Sequence, residues 1–516
     1  MENRQVLRRQ MILKGNLMKT ILIICLPLAF YQFLNSVFVV IDQVISANIS
    51  ADAQNAVSSI GQIKNTISAF GGGLAAGGCV LVARYYGAGD LRRARHSSSN
   101  LFMMSIVLSL VIILVFVPFS SLILRACQIA PASRKIGNRY FQLQMIELIF
   151  VSLNSIFIGL EKAKGNSRII LFLNLFVLII KLSLTCLFVY GFKLKDIIYV
   201  ELATICAQFI LTIIGVCILF NKKNILHLEI KMLWFKAEYV KLILILAIPI
   251  FFGKFIMSLG KVVVNAMCGY YWNTVTDGLI VGSLGISNNL SGLITSPTNT
   301  FEEGESTIVS QNLGNKNMKR TVNAFFKTLI VVSIISITGW ILLRFVLCDY
   351  IVELFTLAKK NKATDPEDLR KLELTKSMVK KIFVYDSLSI PSLGIAAAVL
   401  GLLYGYGQTI LSTIFNFTRI GSRIVILFIL HYTSLNDNPT LCAGLSMGIS
   451  NILILLTAVL FLIIFLLRIK KNGYKGMHFT DPEPEVSELF DEDEIILEQD
   501  QKENDIKEVT QDIKIE

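Results

Sequence analysis

The 516-residue chain is 54% hydrophobic and 17% charged, with a mean hydropathy of +0.63, a balance that excludes a water-soluble globule of this length. The net charge of +12 is unevenly divided: residues 481–516 hold 15 Asp and Glu against 3 Lys, whereas the rest of the chain holds 46 basic and 22 acidic residues. A basic body of this kind reads as loops meeting anionic lipid headgroups, not as a nucleic-acid surface.

In chain order, residues 1–15 form a basic N-terminus, after which apolar runs lie near residues 17–45, 56–83, 98–126, 136–160, 167–191 and 195–220. A segment at 222–238 precedes a second set near 239–268, 279–309, 322–352, 381–406, 409–431 and 440–468. At roughly 20 residues per crossing these predict an all-α integral membrane protein of about twelve transmembrane helices. The predicted division is an N-lobe at 16–221, a cytoplasmic linker at 222–238, a C-lobe at 239–470 and an acidic, disordered tail at 471–516. Basic clusters recur in alternate loops, at Arg84 and Arg92–Arg95, at Lys162, Lys164 and Arg168, at Lys222 and Lys223, and at Lys316, Lys319 and Arg320. The positive-inside rule makes these loops and both termini cytoplasmic, with the protein in the cell membrane. The first apolar run is too long for a cleavable signal. The nine cysteines have no spacing that suggests a metal site or a disulfide framework.

Two halves of this pattern repeat. The segment Ala83-Arg84-Tyr85-Tyr86-Gly87-Ala88-Gly89-Asp90-Leu91-Arg92-Arg93 aligns with Ser310-Gln311-Asn312-Leu313-Gly314-Asn315-Lys316-Asn317-Met318-Lys319-Arg320 at an offset of 227 residues. Each reads as a helix-to-helix turn with Gly87 or Gly314 free to take a left-handed cap. Leu26-Pro27-Leu28 resembles Ile248-Pro249-Ile250, and Gly159-Leu160 through Gly165-Asn166-Ser167 resembles Gly401-Leu402 through Gly407-Gln408-Thr409 at an offset of 242, which pairs Asn174 with Asn416 and Lys181 with Arg423. Six spans per repeat give the halves one orientation, so the prediction is two parallel six-helix repeats, related by an axis along the membrane normal, around a central cleft.

These motifs together resemble the MATE (multidrug and toxic compound extrusion) family of secondary transporters. The resemblance is carried by Leu26-Pro27-Leu28-Ala29 through Asn35-Ser36 and Ile41-Asp42, by Val82-Ala83-Arg84-Tyr85-Tyr86-Gly87-Ala88-Gly89-Asp90, and by Glu303-Gly304-Glu305-Ser306-Thr307 through Gly314-Asn315, and it covers about residues 15–470. It implies export of organic cations or other amphipathic small molecules in exchange for H+ or Na+ by alternating access, with no cofactor beyond Na+ as a candidate coupling ion. A monomer in the lipid bilayer is expected, with no enzymatic activity and no nucleic-acid partner.

An ionisable group in hydrocarbon is costly and needs a physical reason. The resemblance makes Asp42 the N-lobe coupling carboxylate, with Asn35 on a reachable face of the same helix; an interfacial Asp without a transport role is the alternative. Family members often have Asn and Asp in the fifth helix where this chain has Lys181 and Thr185, so a Lys181–Asp42 pair is expected to replace the sodium site, unless Lys181 snorkels to an interface. Asp386 is the C-lobe coupling candidate, or else a cap near Pro391. Arg423 lines the cleft or braces the C-lobe. Glu302, Glu303 and Glu305 cannot all share one helix face, so at most two line a cleft, the alternative being a salt bridge to Lys254 or Lys261. Glu147 and Asn174 are further cleft candidates. The run Gly71-Gly72-Gly73-Leu74-Ala75-Ala76-Gly77-Gly78 suits close helix approach or a bend, not a phosphate loop, because no Gly-Lys-Ser/Thr follows. A lipid-linked precursor flippase is the alternative within transport. A membrane-embedded transferase would need clustered His or paired Asp, and the four His form no cluster.

Overall fold

The computed structural model describes residues 2–49, 51–126, 131–194, 196–272, 274–353 and 366–471, with side chains at 5–38, 41, 60–125, 137–194, 196–272, 274–353 and 366–471. Asp42 and most of the acidic tail therefore lie outside the described side chains. The helices are α1 (Glu2–Lys14), α2 (Leu17–Ile49), α3 (Ala51–Ala88), α4 (Leu91–Phe116), α5 (Ser120–Ala126), α6 (Pro131–Ala163), α7 (Ser167–Cys186) and α8 (Ile197–Phe220) in the first half. The second half holds α9 (Ala237–Trp272), α10 (Ile280–Gly314), α11 (Met318–Ile341), α12 (Pro366–Asp386), α13 (Ser389–Gly405), α14 (Thr409–His431) and α15 (Pro439–Lys471). Eleven helical stretches among the described residues are long and apolar enough to cross a membrane, with α12 and α13 forming one of them. Helix α10 lies where the twelfth crossing is expected and is 35 residues long, but it carries Glu302, Glu303 and Glu305 and is not among the eleven.

Burial follows from which solvent each face meets. Ile410, Ile414 and Phe417 on α14, and Leu456, Leu460, Ile463 and Leu467 on α15, are exposed at helical spacing, as expected of faces solvated by lipid tails. Trp234, Tyr270, Tyr350 and Tyr432 are exposed at or just beyond helix ends, where amphipathic rings sit at the headgroup level. Inside, α3 and α10 are the central pair. Helix α3 packs on α6, α9 and α10, while α10 packs on α2, α3 and α13. The small-residue run of α3 allows this: a Cβ on Gly73 or Gly77 would lie 2.6–2.8 Å from backbone atoms at Phe251 or Leu246–Ala247 of α9, so close approach, not a phosphate site, is its role.

The repeat is reproduced in local geometry. Asp90 and Asn317, 227 residues apart, each cap the following helix, accepting from Arg93 N at 2.9 Å and Arg320 N at 3.2 Å. Gly165 and Gly407, at the 242 offset, both have positive φ, 74° and 78°. Asn174 and Asn416 donate to the carbonyls of Ile170 and Ser412, each one turn back. One expectation is corrected. Gly87 and Gly314 are not the left-handed residues; those are Gly89 and Lys316, two positions on, with φ of 91° and 58°. Gly87 and Gly314 are needed because α3 and α10 cross there: a Cβ on Gly87 would strike the Gln311 backbone, and one on Gly314 would strike the Arg84 carbonyl and lie 2.8 Å from Ala88 N.

Overpacking of that crossing costs about 1–3 kcal/mol. Gly87→Val is therefore expected to lower the midpoint of thermal unfolding in detergent. Gly282→Ala on α10, where an added Cβ meets nothing within 4 Å, is expected not to lower it, because Ala favours the helix over Gly. Equal midpoints for the two variants would contradict the crossing as described.

Candidate functional site

One end of the molecule is sealed. Arg84 of α3 donates to Gly405 O of α13 at 3.0 Å, and Gln311 of α10 donates to Ala163 O of α6 at 2.5 Å. Arg84 and Gln311 are repeat mates at the 227 offset, and Ala163 and Gly405 are mates at 242, so each half sends an equivalent side chain to an equivalent helix end of the other. Glu303 of α10 forms an ion pair with Lys162 of α6 beside these bonds, and not with Lys254 or Lys261; Lys254 donates to Gly72 O at 3.4 Å, with its charge still acting on Glu302 and Glu303. Helix α1 lies across the same end. Arg9 donates to Gly87 O at 3.1 Å, and Arg320 to Ile12 O and Gly15 O at 3.1 and 2.6 Å. In the adjoining α6–α7 turn, Lys164 is held by Glu161 at 2.5 Å and Asn224 at 2.8 Å; burial pushes its ammonium below the usual lysine range, against the opposing pull of Glu161.

The other half of the molecule holds a cleft of about 470 Å³ between the two halves, within the range of small-molecule sites. Lys64, Lys181 and Glu201 line one side, and Lys261, Asn265 and Arg423 the other. A larger cavity, about 730 Å³, lies between α3, α4 and α9, but its lining is entirely apolar, as at Phe70, Val111 and Phe251. It offers no polar group to orient a solute, so the charged cleft is the candidate site.

On the N-terminal side, Lys64 of α3 forms an ion pair with Glu147 of α6 and lies 3.9 Å from Glu201 of α8. Both carboxylates are buried. Three helices thus place two carboxylates around one ammonium. Glu147 was legible in the sequence as a carboxylate inside a span; Lys64 and Glu201 carry the same signal, an ionisable residue within an apolar run, and were missed. Lys181 of α7 lines the cleft with them, and Arg423, its repeat mate, lines the opposite side. Arg423 is braced by Ser450 Oγ at 3.1 Å and Asn451 Oδ1 at 3.3 Å of α15.

The remaining candidates fall elsewhere. Asp386 is buried and accepts from Ser287 at 2.9 Å and Ser291 at 3.1 Å. The N-cap of the next helix is Leu388, with no side-chain bond, so Asp386 binds two hydroxyls of α10 and does not cap. Asn174 is buried against its own helix, and Asn35 is half-buried on α2; neither lines the cleft. Glu302 lies beside Tyr404 of α13. Glu305 is fully buried with neither carboxylate oxygen hydrogen-bonded. The three glutamates diverge as helical spacing requires: only Glu303 reaches Lys162.

Eleven membrane-length helical stretches and the long helix α10, arranged in two repeats that are sealed at one end and hold a charged cleft toward the other, are the architecture of a membrane transporter. The MatE family model matches residues 27–187 and 249–429, and the chain belongs to that family. Its two matched blocks begin at Pro27 and Pro249, the proline pair of the repeat. Among solved structures, a MATE in complex with MaL6 superposes with a TM-score of 0.80 at 15% identity, covering 89% of this chain and 99% of the other. The outward-facing conformation of a multidrug resistance MATE family transporter of the MOP superfamily gives 0.79 at 15% identity over 89% and 98%. A MOP superfamily transporter from Pyrococcus furiosus, for which reverse polarity of the binding pocket suggests a different function, gives 0.77 at 15% identity over 87% and 97%. No curated protein matches by sequence.

Proposed function

We propose that this MATE family transporter is a proton-coupled antiporter that exports amphipathic small molecules by alternating access, with its termini and its sealed end cytoplasmic. The observation that carries this reading is the Lys64–Glu147–Glu201 cluster on the cleft wall. Two carboxylates around one ammonium form a neutral group when they share a proton and carry a net negative charge when they release it. Releasing that proton changes the force between α3, α6 and α8, and a shift in helix packing is what a transporter needs in order to link an ion to its two states. The ammonium groups of Lys64 and Lys181 stand where a mobile sodium ion would compete with fixed positive charge, which favours H+ over Na+. We extend this to the expected Lys181–Asp42 pair, whose carboxylate side chain is outside the described residues. Asp386, held by two hydroxyls in the C-lobe, is the second candidate for a titrating group.

The test is reconstitution in proteoliposomes, following a fluorescent amphipathic substrate under imposed gradients. A pH gradient is expected to drive accumulation and an equal sodium gradient to drive none. Glu147→Gln and Glu201→Gln are each expected to reduce pH-driven transport at least tenfold. Accumulation driven by sodium with the pH gradient collapsed would refute proton coupling, and unchanged transport in both variants would remove the cluster from it.

A further inference from the structure

The two walls of the cleft differ in charge balance. On the N-terminal side, two lysines, Lys64 and Lys181, face two carboxylates, Glu147 and Glu201. On the other side Lys261 of α9 and Arg423 of α14 line the cleft, and Arg419 stands one turn before Arg423 on α14, outside that lining. Asp386, whose carboxylate acts on them, is engaged by Ser287 and Ser291, and none of the three cations forms an ion pair within 4.0 Å among the described residues. Arg423 uses Nε and Nη2 on neutral side chains of α15, which fixes the plane of its guanidinium at the cleft. Arg419 reaches only the thioether of Met257, at 3.8 Å, and its Nε is buried without a hydrogen-bond partner. Lys261 is exposed within the cleft.

Unpaired cations held near each other inside a membrane protein are repulsive, and they persist where an anion completes them. Arginine is the side chain suited to that task, because its planar donors match carboxylate and phosphate oxygens and it keeps its charge. An organic cation entering the same cleft would meet the like charges of Lys261 and Arg423 on one wall.

We infer that Lys261 and Arg423, with the charge of Arg419 behind them, form a binding site for the anionic group of the substrate, a carboxylate, sulfonate or phosphate, so that the transported compounds are amphipathic organic anions or zwitterions and not organic cations. This rests on reading the cleft as the substrate path. It narrows the broad expectation of cationic or amphipathic cargo to its amphipathic part. The anionic group belongs either to a soluble solute or to a lipid headgroup, and the two sources share the same recognition chemistry.

The experiment measures equilibrium binding to the purified full-length protein in neutral detergent by fluorescence anisotropy, with carboxyfluorescein as the anion and ethidium as the cation. Carboxyfluorescein is expected to bind at least tenfold more tightly than ethidium. Lys261→Gln and Arg419→Gln are each expected to weaken its binding about tenfold and to flatten its dependence on salt. Arg423→Gln should do the same; if it fails to fold because α15 loses its brace, the other two variants decide. Displacement of the dye by phosphatidylglycerol micelles, but not by soluble phosphate or benzoate, assigns the site to a lipid headgroup, and the reverse assigns it to a soluble anion. Tighter binding of ethidium, or dye binding indifferent to all the Gln substitutions, overturns the inference. Because binding is read without a gradient, anion binding as expected together with failure of pH-driven transport would remove proton coupling and leave this site standing.

Discussion

Lys64→Met is expected to be the most damaging single substitution in the N-lobe. It leaves Glu147 and Glu201 both buried and without the ammonium they share. Removing one partner of a buried pair costs about 3–5 kcal/mol, because the remaining charge stays desolvated. The lower end of that range applies here, since the Lys64 side chain keeps 20% of its surface exposed. Thermal unfolding in detergent should show a large loss at neutral pH that shrinks in acid, where protons discharge the carboxylates. Glu201→Gln added to Lys64→Met should recover most of the stability, because one carboxylate less removes the repulsion, but it should not recover pH-driven transport. If Lys64→Met unfolds at the wild-type midpoint across the pH range, the carboxylates do not depend on Lys64, and the proposed proton site loses its physical basis.

The second large effect is expected at the sealed end. Arg84→Ala and Gln311→Ala together remove both repeat-related hydrogen bonds between the halves, Arg84 to Gly405 O and Gln311 to Ala163 O. A bond from a charged donor contributes about 1.5–3 kcal/mol and a neutral one about 0.5–1.5 kcal/mol. With about 1.4 kcal/mol per factor of ten, the pair should shift the equilibrium away from the sealed state by at least tenfold. A reporter cysteine made by Ala83→Cys, at a position 0% exposed in α3, reads this directly as its rate of modification by a water-soluble maleimide. Each single variant should raise the rate, and the double variant should raise it by about the product of the two. The Lys162–Glu303 pair should limit the opening, so adding Glu303→Gln is expected to raise the rate again. A rate unchanged in the double variant would mean that α1 and the Gly87–Gly314 crossing close this end without the latch.

The seal and the cleft share one design. Arg84 and Gln311 are repeat mates that cross the interface at one end, and Lys181 and Arg423 are repeat mates that face each other across the cleft. The symmetry is kept in backbone and position but broken in charge. The N-terminal wall balances its lysines with carboxylates, while the C-terminal wall does not. On the proposed reading, coupling and substrate recognition fall on opposite walls of one cleft.

The sequence by itself determined the membrane class, the crossings, the two repeats and their register, and the family. These are properties of single segments: length in hydrocarbon, placement of basic loops, and turn chemistry such as Asp90 and Asn317 at helix starts or Gly165 and Gly407 at positive φ. Only the tertiary structure decided which charges meet. Lys64, Glu147 and Glu201 come from three helices, and the Glu303–Lys162 pair joins the two halves. Such pairings depend on the rotation of each helix about its axis and on interhelical distance, which apolar runs leave open. The same reason explains the correction at Gly87 and Gly314. Either glycine could have served a left-handed turn, and only the crossing of α3 and α10 shows that each is small because the other helix touches it.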